Sequence, residues 1–599
     1  MTARLEATRV DLPGLLQVLG KNLYSTPAVA MRELVQNAHD SCVRRRIESK
    51  APFEAWITVT ATPGRIEICD AGAGLTDEEL ERDLATIGRG YTRTLREKGE
   101  ANDLIGMFGL GFLTAFVVSR RVEVFTTSYQ TPDRTWHFAS DNGQRFTIQP
   151  HPTTRAVGTT VVLHLAPAFE HLAEPDAIAH LVEHYCALLP TPVFLDGARQ
   201  QRANVLAPWW RQDPAPTGVK KTKADLALAR HFERTFDPIC AYDLEGDGHR
   251  GTLWIQDGST YATSDNRNMS VFVRGMLVSD DARKLVPPWA GFVGGVIESE
   301  RLAPTASREE LCEDDVFEEV QALVRDTLIA GLRHTARHDP ANWRRILRRH
   351  NEALLGAALS DPQLFEIVVD DLTVPTSAGD LTMATVAKRS EGTIYVSLGE
   401  RGAPEETLFS ALLVPVVTGT RFAAFPFAKR VAGQRGYRVV ELGTEHGNRA
   451  LFRDAELEDG DALRALLEDA GVEGMSLQLA HFEPTYLPLV VVPDREAQMK
   501  ARIESDDADR RIGSAALGLA RMFTAKLEER PEARLYVNVD APVVRQLLDA
   551  EPSRRASGAQ LLVAFAKVMA SQGADSVVKD VRSVLETINA SVEALLKGT

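Results

Sequence analysis

Glu33, Asn37 and Asp40 recur about one helical turn apart in the run Arg32-Glu33-Leu34-Val35-Gln36-Asn37-Ala38-His39-Asp40. On a helix they share one narrow arc, while Leu34, Val35, Ala38 and Cys42 share another. The apolar arc can pack on a sheet and leave the polar arc facing a cavity. There, an amide oxygen is a hard ligand suited to magnesium, and a carboxylate can orient and deprotonate a water. Taken alone, the same arc could equally face solvent. Asp70 stands at the end of the alternating run Arg65-Ile66-Glu67-Ile68-Cys69, where a buried carboxylate could accept a hydrogen bond from the exocyclic amine of adenine. Gly72 and Gly74 then permit close approach of backbone to a flat ring, although Asp and Gly also favour ordinary turns. Gly109-Leu110-Gly111 precedes a helix expected over Leu113 to Val118 and can aim backbone amides at phosphate oxygens. Thr159 puts a hydroxyl at the start of the strand Thr160-Val161-Val162-Leu163-His164-Leu165.

Each piece is weak by itself; in this order, and within one domain's length, they spell a nucleotide pocket. Helices must cover one face of a sheet for the four pieces to converge. Gly88-Arg89-Gly90 can hinge the segment Tyr91 to Ile105 as a lid.

These motifs resemble those of the ATPase superfamily shared by DNA gyrase, the ninety-kilodalton heat-shock protein, sensor histidine kinases and MutL. The chain is most similar to the heat-shock branch, whose bacterial form is called HtpG. That resemblance rests on Leu15-Leu16-Gln17-Val18-Leu19 through Asn22-Leu23-Tyr24-Ser25 leading into Arg32-Glu33-Leu34. It rests too on Leu84-Ala85-Thr86-Ile87-Gly88-Arg89-Gly90 at the lid entry, and on Phe108-Gly109-Leu110-Gly111-Phe112 with Ala115-Phe116 at the lid exit. Farther on, Val271 to Val278 with Asp280-Asp281 resembles a strand of the family's middle domain, and Leu302-Ala303-Pro304-Thr305-Ala306-Ser307-Arg308-Glu309-Glu310-Leu311 resembles its catalytic loop. Beyond about residue 320 the likeness thins, with Arg534 to Asn538 and Val543 to Leu547 as its clearest late echo.

The resemblance implies ATP and Mg2+ as cofactors, with Asn37 as the magnesium ligand and Glu33 and Arg308 as the catalytic pair. Arg308 would reach the γ-phosphate as arginine fingers do. It implies an ATP site formed by Asn37, Asp40, Asp70, Gly72, Gly74, Leu75, Arg89, Gly109, Leu110, Gly111, Phe112 and Thr159. Ala71, Leu75, Arg89, Met107, Thr305 and Cys312 depart from the usual Asn, Met, Lys, Gln, Asn and Gln of the family. Those departures point to retained binding and slow hydrolysis.

The expected fold is multidomain, α+β and α/β. An N-terminal α/β sandwich, helices on one face of a mostly antiparallel sheet, fills residues 1–215 with the lid at about 88–112. An α/β middle domain carrying the arginine loop fills 216–480, and a mixed C-terminal dimerisation domain fills 481–599. Lys220-Lys221-Thr222-Lys223, after Pro214-Ala215-Pro216, reads as an interdomain linker. Val577, Val581, Val584, Ile588, Val592 and Leu595 form a terminal apolar stripe that needs a partner, and the resemblance favours a homodimer.

Composition fits a multidomain globular chain. Its 599 residues exceed what one core organises, and 44% hydrophobic with 25% charged is ordinary. The five cysteines contain no Cys-x-x-Cys pair, which indicates neither a zinc site nor a disulfide framework. Met1 to Val10 carries charges and no signal-like apolar stretch, so a cytoplasmic location without membrane contact is expected. A formal charge of −15 disfavours nucleic acid as a partner. The basic cluster Arg337 to Arg349 around Trp343 reads as a solvated helix face rather than a nucleic-acid contact. The end Leu595-Leu596-Lys597-Gly598-Thr599 lacks the acidic peptide read by helical-repeat co-chaperones. The implied activity is ATP-driven dimer-clamp closure that remodels client proteins. The alternatives are a divergent ATP-gated switch in a dedicated pathway, without general chaperoning, and a MutL-like DNA-processing ATPase. A sensor kinase is not expected, since it would need a phosphoacceptor-histidine helix pair before the pocket, which here starts almost at residue 1.

Overall fold

A computed structural model describes residues 27–49, 51–84, 111–141, 143–195, 199–233, 235–259, 264–305, 310–398, 409, 412–472, 475–494, 497, 500, 531, 533–570 and 580–597. The chain divides into two compact units, residues 1–349 and 350–599.

The first unit opens on helix α1 (Val29–Glu48). It is followed by the hairpin β1 (Ile57–Thr62) and β2 (Arg65–Asp70), whose turn uses Gly64 at positive φ. Strands β3 (Ser119–Thr127), β4 (Trp136–Ser140), β5 (Thr147–Pro150), β6 (Gly158–Leu165) and β7 (Val193–Phe194) complete a seven-stranded sheet. Its order is β5-β4-β3-β6-β2-β1-β7, and every pairing is antiparallel except β1 with β7. This is the mostly antiparallel sheet that the N-terminal motifs require. Met31, Leu34, Val35 and Ala38 of α1 join Ile57, Val59, Ile66 and Ile68 of the hairpin in one core, to which α2 (Pro175–Tyr185) adds Ile178, Leu181 and Val182. Burying one such aliphatic side chain contributes about 1.5–3 kcal/mol, so α1 is held chiefly by this packing.

A second, five-stranded sheet has the order β11-β10-β12-β9-β8. Its strands are β8 (Pro238–Gly246), β9 (His249–Gln256), β10 (Asn268–Val273), β11 (Met276–Ser279) and β12 (Val293–Ser299). Helices α3 (Gly218–Phe232) and α4 (Asp315–His338) pack against it. The expected linker Lys220-Lys221-Thr222-Lys223 is a correction: it lies inside α3. Lys221 donates to Asp225 one turn on at 3.0 Å and to Asp243 at 2.7 Å, with its ammonium 4.8 Å from the centre of the Trp209 ring. Those pairings turn a basic run into a helix face.

Helix α5 (Pro340–Ser360) carries the basic cluster. Trp343 is buried, and Arg345 and Arg349 both grip Asp257, Arg349 Nε donating at 3.0 Å. The expected solvated face is thus partly packed, with Trp343 turned inward and Arg345 and Arg349 paired with Asp257.

The second unit contains two more sheets. The first, ordered β14-β13-β16-β15-β17, contains the hairpin β13 (Thr373–Thr376) and β14 (Gly379–Thr382) and has β15 (Thr393–Ser397) parallel to both β16 (Val416–Thr418) and β17 (Arg438–Leu442). The other, ordered β18-β19-β21-β20, pairs β19 (Met475–His481) in parallel with β21 (Ala533–Asn538), with β18 (Arg453–Asp454) and β20 (Leu489–Pro493) at its edges. The expected boundary at 480/481 falls at the end of β19. Helices α6 (Pro552–Ala570) and α7 (Val581–Lys597) pack together near the end of the chain. Within the terminal stripe Val584 is only 8% exposed, Ile588 and Leu595 are half-buried, and Val581 and Val592 lie on the surface, as do the neighbouring Leu585 and Leu596. Val577 lies outside the described residues.

Candidate functional site

The site begins with α1, which is buried on nearly every side. Arg32, Glu33, Gln36, His39, Asp40 and Arg44 are buried along with its apolar residues, while Asn37 is exposed. Sequence periodicity separates an apolar arc from a polar one; the structure covers the first and, Asn37 excepted, the second, and buried polar groups then require partners. His39 Nδ1 lies 2.8 Å from Thr191 Oγ1, and burial pushes its pKa down to about 3, which keeps the ring neutral. Arg44 donates to Glu79 at 2.5 Å and to Glu48 at 2.9 Å. Glu79 in turn closes a capping box with Thr76 at the start of the short helix Asp77–Glu79. The far wall of the loop that follows β2 is thereby pinned to α1.

Glu33 is 1% exposed, and its Oε1 accepts a 3.1 Å hydrogen bond from the Arg32 guanidinium. Gly111 sits against the other carboxylate oxygen: a Cβ there would lie 2.7 Å from Glu33 Oε2. A glycine at this point lets the chain that re-enters at Gly111–Thr114 approach the carboxylate. The helix expected over Leu113 to Val118 starts as this 3-10 turn and becomes α-helical at Ala115–Val118. Phe112 stacks edge-on between Phe116 and Phe138, with ring centres 5.8 and 6.1 Å away. Leu75 packs beside it against Leu80, Val124 and Phe138, forming an apolar wall.

Asp70 closes β2 opposite Thr159 of β6. Its Oδ1 accepts from Gly72 N at 2.7 Å and from Ser41 Oγ at 3.1 Å. Burial pushes its pKa up to about 7 against the pull of those donors and of the Arg45 guanidinium. Gly74 takes φ +63°, and a Cβ there would sit 2.0 Å from Thr127 O. Leu75 N donates to Thr126 Oγ1 at 2.8 Å, and Thr126 Oγ1 lies 3.1 Å from Thr159 Oγ1, which ties turn, β3 and β6 together. Arg45 Nη1 holds the turn from the helix side through Ala71 O at 2.8 Å.

The structure therefore brings Asp70, Gly72, Gly74, Leu75 and Thr159 into one connected turn and packs Gly111 on Glu33. Asn37 and Asp40 share the helix, the first exposed and the second buried. Arg89, Gly109, Leu110 and Arg308 lie outside the described residues, as does the lid segment Tyr91 to Ile105. Both arms that flank Arg308 are described and paired. Pro304 bridges Leu311, Thr305 N donates to Glu310 O at 2.9 Å, and Cys312 N donates to Ala303 O at 2.8 Å. Thr305 and Cys312 hold the loop base through backbone bonds, which do not need the family's Asn and Gln.

Sequence reasoning missed Ser41, Arg44 and Arg45. Ser41 stands one turn beyond Asn37, and that spacing was the available signal. Cys42 is buried and Cys69 half-buried, and burial raises both thiols, which suits small packing groups. No three His, Cys, Asp or Glu side chains among the described residues converge to hold a metal ion. A magnesium that keeps most of its water and phosphate ligands needs only one hard protein oxygen, and the exposed Asn37 amide fits that demand. No described helix is long and apolar enough to cross a membrane.

Comparison with known proteins agrees with this geometry. Residues 24–160 match the family model described as "Histidine kinase-, DNA gyrase B-, and HSP90-like ATPase", and residues 256–354 match the model described as "Hsp90 protein". The chain is 26% identical to "Chaperone protein HtpG" of Roseobacter denitrificans over 65% of its own length and 66% of that protein. It is 27% identical to "Heat shock protein 75 kDa, mitochondrial" of Bos taurus, covering 55% and 49% of the two chains. Against "Chaperone protein HtpG" of Methylobacterium sp. it is 30% identical, over 56% and 58%. The chain thus spans about half to two thirds of the length of the curated relatives it matches.

Proposed function

We propose that the chain, whose residues 24–160 match the Hsp90-like ATPase model and whose residues 256–354 match the Hsp90 model, is an ATP-dependent chaperone of the HtpG type. The observation that carries this reading is the buried Asp70 carboxylate, held by Gly72 and Ser41 at the end of β2, opposite Thr159 of β6 and beside the helix that carries Glu33. A carboxylate so placed serves an amine donor on a ring, and adenine presents one.

In this reading adenine lies on Asp70 with Gly72, Gly74 and Leu75 around the ring, and Thr159 and Asp40 complete the pocket wall. Asn37 holds magnesium, which when bound neutralises phosphate charge. Glu33 takes a proton from the attacking water, while Arg32 restrains its carboxylate. Gly111, with Gly109, Leu110 and Phe112, supplies the backbone amides and packing beside the phosphates; Arg89 contributes its charge from the lid. Arg308 supplies a guanidinium to the γ-phosphate from its paired loop base. Hydrolysis is slow, because catalysis waits for lid and loop to close. Closure clamps a homodimer joined through residues 481–599, where the surface face of α7 offers Val581, Leu585, Val592 and Leu596. Client proteins are the partners that such a cycle remodels.

The test is steady-state hydrolysis with nucleotide binding measured beside it. Glu33→Ala should lower turnover ~10²–10⁴-fold while binding persists. Unchanged turnover in that variant removes Glu33 from the mechanism. Absence of nucleotide binding in the parent removes the whole reading.

A further inference from the structure

One oxygen of Asp70 is spoken for. A carboxylate has about four acceptor positions, two on each oxygen. Gly72 N–H and the Ser41 hydroxyl converge on Oδ1, at 2.7 and 3.1 Å. The direction of the Ser41 bond follows from its surroundings. Ala73 N donates to Ser41 Oγ at 3.1 Å, so the hydroxyl's own proton is free to go to Asp70. The fit is close: a Cβ on Gly72 would sit 2.0 Å from Ser41 Oγ and 2.6 Å from Asp70 Oδ1. With Oδ1 filled by protein donors, Oδ2 is the oxygen left for a ligand.

We infer that Ser41 is a positioning residue for base selection: its hydroxyl keeps Asp70 a pure acceptor through Oδ2, so that the pocket takes a 6-amino purine and turns away a 6-oxo purine. The inference rests on the nucleotide reading of this site. If a proton enters, Oδ2 is where it goes, since Oδ1 already faces two donors. The acceptor then becomes a donor, which loses the N6 amine of adenine and suits the O6 carbonyl of hypoxanthine or guanine. Burial places Asp70 where that exchange happens close to neutrality, at about 7. The groups around it are the Arg45 guanidinium and the Cys42 thiol on α1, and Cys69 beside it on β2. Of these only Arg45 is charged near neutral pH, and it favours the ionised form.

The experiment measures the affinity of the full chain for ATP and for inosine triphosphate between about pH 6 and 8, with unfolding curves confirming that each variant folds. The parent should prefer ATP at the alkaline end, and the preference should shrink as pH falls through about 7. Ser41→Ala removes a hydrogen bond to a charged acceptor, so its ATP-to-inosine preference near pH 7 should fall about tenfold and its midpoint should rise by about one pH unit. Ser41→Thr, which keeps the hydroxyl, should restore the parental profile. Asp70→Asn, which cannot ionise, should show a preference independent of pH, and it keeps the test open if Ser41→Ala folds poorly. Equal loss of both nucleotides in Ser41→Ala, or a parental preference flat across the range, overturns the inference while the nucleotide reading survives. Failure of the parent to bind either nucleotide at any pH instead overturns the reading beneath it.

Discussion

Helix α1 and helix α7 solve opposite problems. Along α1 several charged side chains are buried, among them Arg32, Glu33, Asp40 and Arg44, and Arg32, His39 and Arg44 each have a named partner within hydrogen-bond reach. Along α7 even some large apolar side chains are exposed, Leu585 by 49% and Leu596 by 69%. Burying a charge is costly unless it is paired, so a helix such as α1 is tolerated only where its surroundings are preorganised. Leaving apolar surface in water is also unfavourable, and a contiguous face of it marks a place where another surface belongs. The first helix is finished within its own unit; the second still has a face to cover. In the proposed reading the buried, paired groups of α1 serve a small polar ligand, and the exposed side chains of α7 serve a second copy of the chain.

That contrast is most exposed to test at Arg44. Arg44→Ala strands Glu79 as a buried charge, breaks the link between α1 and the capping box, and should cost ~3 kcal/mol of stability. Chemical denaturation of the two proteins measures it; a cost below ~1 kcal/mol would mean the pair is no strut.

Asp70 gives a second, signed comparison. Its folded pKa is raised from 3.8 to about 7, so the folded state holds the proton more tightly than the unfolded chain does. The stability it contributes is full below the unfolded value and is lost as pH rises through about 7. Without nucleotide, Asp70→Asn should therefore melt higher than the parent at alkaline pH, and the gap should close on acidification. A gap that widens as pH falls contradicts the raised carboxyl.

The smallest effect on folding is expected at α7. Leu585 is exposed, so Leu585→Asp should change unfolding free energy by less than ~0.5 kcal/mol. The same variant should shift sedimentation toward the monomer. A substantial loss of stability with no change in association would assign that side chain to its own unit.

Much of the site was legible from local pattern. The spacing of Glu33, Asn37 and Asp40, the strand ending at Asp70 and the glycines after it are short-range signals, and each sits on the element expected. Misreadings came where local pattern carries no sign of its neighbour. Lys220-Lys221-Thr222-Lys223 looked like a linker because Asp243 and Trp209, which organise Lys221, lie on other elements. Val584 shares its spacing with Val581 and Val592, and only the presence of α6 selects which of them turns inward.

The amino-acid sequence alone determined the kind of chemistry available: an acid, an amide and a strand-end carboxylate at spacings that helices and strands turn into faces. It also determined the class of fold, because period and turn residues are properties of neighbours in the chain. Tertiary structure decided which of those groups are buried, and with what partners. Ser41 on Asp70, Gly111 against Glu33 and Arg44 on Glu79 join residues that are distant in the chain. Desolvation and pairing, which set a group's charge and its readiness to bind, depend on the whole packed environment rather than on any stretch of sequence.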